Sequence, residues 1–203
     1  MPLLILAACA KSGDIDETGG VAVTRSACPA VGIPAQTGDI TLFDPPTSRD
    51  ARAIDVVATL TNVRGSCGDL NADVVANATF DIEARRAHTA GARDVTFPYF
   101  ATIVRGGNVV VAKRVNRVTV HFVDGQARAT AQASGGAVIN RAAATLPAEV
   151  IDRLRKKRKA TDADASIDPM AAPDIRTAVA RASFELLVGF QLTGEQLQYN
   201  ATR

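Results

Sequence analysis

The densest run of chemistry-bearing side chains is Arg153, Arg155, Lys156, Lys157, Arg158 and Lys159, six cations within seven residues. Such a run can meet lipid headgroup phosphates or an acidic polymer, each cation near an anionic membrane surface contributing about 1 kcal/mol. The same cations are also favoured at a helix C-terminus by its dipole and can be neutralised by the acidic segment that follows, so the sequence leaves both readings open. In that segment Asp162, Asp164, Ser166 and Asp168 alternate as oxygen ligands do at the front of a calcium-binding loop. The position that requires Gly is Ala or Ile, however, and Pro173 stands where a bidentate Glu belongs, so an acidic linker that caps the next helix is expected instead. His88 and His121 are the two histidines, and neither has a second metal ligand at usable spacing. Nucleophile-elbow, dinucleotide-binding and P-loop patterns are all missing from the sequence. No catalytic residue, metal or cofactor is therefore expected.

A different signal lies at the start of the chain. Leu6, Ala7, Ala8 and Cys9 close a short apolar run with small residues and a cysteine, and they resemble the lipobox of bacterial lipoproteins. The resemblance covers the first ten residues. It implies that residues 1–8 are the remnant of a removed signal peptide and that Cys9 carries a diacylglycerol in thioether linkage. No Lys or Arg precedes Cys9 and the apolar run extends only from Leu3 to Ala8, so the signal is expected to start further upstream. Each acyl CH₂ buried in a bilayer contributes about 0.8 kcal/mol, and two chains anchor stably without a transmembrane helix. Residues 9–25 would form the lipidated tether, because the stretch Lys11 to Gly20 carries too little apolar surface to pack. The implied location is the bacterial cell envelope, on the outer membrane facing the periplasm.

With Cys9 taken by lipid, Cys28 and Cys67 remain as a pair in an oxidising compartment and become a candidate disulfide. Closing a loop of about 39 residues would contribute ~4 kcal/mol on the chain-entropy model. Two buried free thiols are the alternative.

The 203 residues suit one domain, here 26–203. Apolar residues make up 47% of the chain but aromatics only 4%, with no Trp, so Val, Ile, Leu and Ala must build the core. A net charge of +2 gives no field that argues for nucleic acid as a partner. No stretch reaches the 18 apolar residues that read as a bilayer span, which leaves Cys9 as the expected membrane attachment.

Strict alternation marks the elements that must carry these residues. Val74, Ala76, Ala78, Phe80, Ile82 and Ala84 share one face of a strand, with Asn77, Thr79, Asp81, Glu83 and Arg85 on the other. Val118, Val120 and Phe122 alternate with polar residues, as do Ala127, Ala129, Ala131 and Ala133 after Asp124-Gly125. Asp-Gly between alternating runs predicts a hairpin whose two turn positions need positive φ, and Gly106-Gly107 predicts another. Further strands are expected at Asp39 to Phe43, Ile54 to Val63 and Phe184 to Leu192, with helices after Leu146-Pro147 and Pro173. The fold class is mainly β, an antiparallel β-sandwich with a short helical insertion at 146–180 before the last strand. The body resembles an immunoglobulin or fibronectin type III domain, and a partly open barrel is the alternative.

The expected role is a non-catalytic envelope protein, structural or protein-binding, with a membrane contact through lipid and an envelope protein as partner. Two alternatives stand beside it: a hydrolase using acidic residues such as Asp55, Asp81 or Glu83, and a carrier of a small apolar ligand between helices and sheet.

Overall fold

The computed structural model describes residues 26–156, 161 and 167–202. Its strands are β1 (Ala30–Gly32), β2 (Asp39–Phe43), β3 (Ile54–Leu70), β4 (Asp73–Arg86), β5 (Arg93–Arg105), β6 (Val109–Phe122), β7 (Arg128–Asn140) and β8 (Phe184–Phe190). Three helices, α1 (Ala148–Arg155), α2 (Pro173–Ala182) and α3 (Gly194–Thr202), complete it. One sheet has the order β1-β8-β5-β6 and the other β2-β3-β4-β7, and their packed faces make a β-sandwich. The helical insertion lies before the last strand, as the sequence predicts.

Period-two alternation determines which face of each strand is buried. On β4, Val74, Ala76, Ala78, Phe80, Ile82 and Ala84 are all buried. They face Phe97, Tyr99, Ala101 and Ile103 of β5 and Leu186, Val188 and Phe190 of β8 across the core. Few aromatics are present and three pairs of them meet edge to face, Phe80 with Tyr99 at 5.3 Å and Phe97 with Phe190 at 5.8 Å inside the sandwich, and Phe43 with Tyr199 at 5.2 Å where α3 closes over β2. Such geometry adds about 0.5–1.5 kcal/mol per pair to the burial itself.

The two turn predictions part company. Gly106 and Gly107, at φ 63° and 81°, join β5 to β6 as a hairpin. Asp124-Gly125 does not form a hairpin: β6 and β7 lie in different sheets, and of the two turn residues only Gly125 has positive φ. The segment is a corner that carries the chain from one sheet to the other. Pro147 stands at the position just before α1 instead of in its first turn, with no side-chain hydrogen bond to the helix. The three-residue strand β1, too short to show an alternation in the sequence, pairs parallel with β8.

Candidate functional site

The bond between Cys28 and Cys67 is formed, with Cα atoms 5.9 Å apart. A bulge in β3 makes it geometrically accessible. Thr61 pairs with Asp81 and Arg64 with Thr79, so β3 carries one residue more than β4 there, and Asn62 takes φ 52°. An extra residue exchanges the two faces of everything downstream. Before the bulge Val56, Ala58 and Leu60 point inward; after it the inward positions are Gly65, which pairs with Ala78, and Cys67, which pairs with Ala76. Cys67 is thereby turned towards the opposite sheet, where β1 begins two residues after Cys28. The approach is tight, since a Cβ on Gly65 would lie 2.7 Å from Val31 Cγ2. Both cysteines are nevertheless exposed at the sandwich edge. The disulfide clips the first strand of one sheet to the long strand of the other.

The opposite end of the sandwich is fastened by Arg86. It continues the even-numbered face of β4 and is buried, 1% exposed, at the corner where the chain crosses between sheets. Its guanidinium donates to the carbonyls of Thr89 (2.6 Å), Gly91 (2.7 Å), Val123 (2.8 Å) and Gln126 (2.8 Å), and it lies over the Phe122 ring at 5.2 Å. The planar fork with five N–H donors suits such a set of divergent carbonyls. Asp124 accepts from the Gly91 amide at 2.7 Å, tying the same two loops together, and Arg93 reaches Asp55 at 2.6 Å beside them. Reasoning from motifs misses Arg86, although its place on the apolar side of the β4 alternation marks it as inward.

Of the cationic run, Arg153, Arg155 and Lys156 lie within or just past the end of α1, whereas Lys157, Arg158 and Lys159 lie outside the described residues. Arg153 donates to Asp174 at the start of α2. That hydrogen bond, the first cause, holds the Asp174 carboxyl below its ordinary value, and the Ile175 amide adds to the effect. At least one cation of the run is thus engaged within the fold. Cys9, with residues 1–25, and Asp162, Asp164 and Ser166 also lie outside the described residues. Asp168 caps the one-turn helix Pro169–Ala171 by accepting from the Met170 amide at 2.8 Å.

The carboxylates of the hydrolase alternative lie on the outer face of the β2-β3-β4-β7 sheet. Asp55 is ion-paired with Arg93, Asp81 accepts from Asn62 Nδ2 at 2.7 Å, and Glu83 is exposed on the same outer face of the sheet. His121 bonds Asp94 through Nδ1 at 2.6 Å, both side chains well exposed, while His88 lies in the 87–92 loop. Among the described residues no group of three His, Cys, Asp or Glu side chains is arranged to hold a metal, and no helix is long and apolar enough to cross a membrane. A cavity of about 450 Å³ opens between α1 and α2, lined by Arg153, Lys156 and Asp168 as well as by Ile167 and Ile175. Its lining mixes charge with apolar surface, and a second cavity of about 580 Å³ lies where the β3–β4 turn and the end of β7 meet Leu146 and Pro147 before α1. Comparison of the chain with protein-family models, with curated proteins and with solved structures finds no match.

Proposed function

We propose that this protein is a lipid-anchored component of the bacterial cell envelope, with a non-catalytic, structural or protein-binding role in a larger assembly. The observation that carries the reading is the Cys28–Cys67 bond. A solvent-exposed disulfide persists in an oxidising compartment and is rare where glutathione and thioredoxin keep thiols reduced. The lipobox-like Leu6-Ala7-Ala8-Cys9 supplies a route to that compartment and a means of staying at its membrane. The carboxylates, each engaged or solvated separately on an outer sheet face, favour a surface that binds over one that catalyses.

Fractionation of bacterial cells tests the anchor. Wild-type protein is expected to sediment with membranes and a Cys9→Ser variant to be released, with mass spectrometry of the extracted N-terminus showing the acylated cysteine. A Cys9→Ser variant that still sediments, or an unacylated intact N-terminus on the wild type, would overturn the reading.

A further inference from the structure

We infer that the first half of β6 is a docking edge for an acidic, extended peptide segment, which would add to the β1-β8-β5-β6 sheet as a fifth strand. The inference deepens the protein-binding half of the proposed function and is independent of the anchor. Among the described residues β6 is a terminal strand of its sheet and pairs only with β5. From residue 109 to residue 117 every side chain is exposed, on both faces of the strand, whereas Val118, Val120 and Phe122 beyond them are buried. At Gly135, β7 lies against Ala101 of β5 and Val188 of β8, while Arg114 and Ala112, the β6 partners of Ala101 and Ile103, are exposed.

This edge combines two properties. Val109, Val110, Val111 and Val115 are 47%, 62%, 54% and 53% exposed, a β-branched surface that favours strand pairing. Half the backbone N–H and C=O groups of an edge strand point away from the sheet and can pair with an added chain. The second property is charge. Lys113, Arg114 and Arg117 stand here, β6 and its neighbouring edge β7 carry no carboxylate, and none of these three cations forms an ion pair among the described residues. Lys113 instead rests over the Phe100 ring at 4.8 Å.

Charge also selects the occupant. A second copy pairing antiparallel would gather six cations on one short ladder with no carboxylate on either strand, and about Val115 or Arg114 would set like charges directly opposite, which destabilises a sheet. An anionic membrane would satisfy the cations but not a row of directional backbone groups. An acidic strand satisfies both.

The test uses the full chain carrying Cys9→Ser, so that acylation plays no part. It is titrated with a labelled peptide of alternating Glu and Val, about eight residues long as strands commonly are, and with three controls: the Gln-Val counterpart, the Glu-Val peptide N-methylated at alternate residues, and phosphatidylglycerol vesicles. Saturable binding of the Glu-Val peptide with slowed hydrogen exchange in β6 is expected, with the N-methylated peptide failing to bind. The pair Lys113→Glu and Arg117→Glu, which share one face of β6, should weaken binding about tenfold, in line with a few exposed ion pairs, and should transfer preference to a Lys-Val peptide. Equal affinity for Gln-Val, undiminished binding of the N-methylated peptide, binding to vesicles alone, or no binding at all would each overturn the inference. None of those outcomes alters the membrane fractionation of wild type against Cys9→Ser, so the two proposals fail separately.

Discussion

Gly135 on β7 and Ala101 on β5 bring the two sheets into close contact: a Cβ added to the glycine would lie 2.6 Å from the alanine Cβ. No rotamer change can relieve that clash, because both partners are at the backbone. Gly135→Ala should therefore force the sheets apart locally and cost about 1–3 kcal/mol, the usual range for overpacking. Ala101→Gly removes the opposing methyl. The double variant, compared with the two singles by urea unfolding, should recover part of the loss, and strict additivity would mean that the contact does not set the sheet spacing.

Arg86 makes a second prediction. Lysine keeps the charge and much of the length but has no planar fork, so it can satisfy only some of the carbonyls of Thr89, Gly91, Val123 and Gln126. Each buried carbonyl left unpaired costs about 1–3 kcal/mol. Arg86→Lys should lower stability by about 3 kcal/mol and Tm by roughly 10 °C for a chain of this size, measured by calorimetry. An unchanged Tm would show that water replaces the lost donors.

These two contacts also mark where the sequence is legible and where it is not. The faces of β4 and β8 can be read directly, since Val74 to Ala84 and Phe184 to Phe190 alternate without interruption and one face is buried throughout. β3 is legible only as far as Val63, because a single Asn in the left-handed region exchanges its faces and leaves no mark in hydropathy. The residues of the Asp124-Gly125 corner suit a hairpin equally well. What makes them a crossover is the Arg86 guanidinium, a contact separated by 37 residues from Val123. For the candidate site, Cys28 and Cys67 are legible as a pair. The exposed edge of β6 is not, because its exposure depends on which strands of the opposite sheet come to lie over it.

The link between α1 and α2 should respond to acid. Hydrogen bonding from Arg153 holds Asp174 below the ordinary aspartate range in the folded protein. A carboxyl whose native pKa is depressed stabilises the fold above its unfolded pKa, and that contribution disappears as pH falls through the native one. Titrating the Asp174 carboxyl carbon by NMR should give a midpoint below that of an ordinary aspartate. Arg153→Gln should raise it towards the ordinary value, and an unmoved midpoint would remove Arg153 as the cause.

The face on which Cys67 stands is predicted to decide the bond. Deleting Asn62 removes the extra residue and leaves Gly65 opposite Ala78 and Cys67 opposite Ala76, on the inward face, so the bond should still form. Deleting Ser66 instead moves Cys67 into the outward position next to Gly65, away from Cys28. The Ser66 deletion variant should show reactive free thiols under conditions in which wild type shows none at these positions. It should also lose about 4 kcal/mol, the chain-entropy contribution of a loop with a sequence separation of 39. A Cys28→Ser, Cys67→Ser double variant separates the two effects: it loses the link but keeps the facing, so Ser66 deletion in that background should cost little more than the loss of local pairing. If the Ser66 deletion variant still oxidises Cys28 to Cys67, the facing of β3 is not what brings the two sulfurs together.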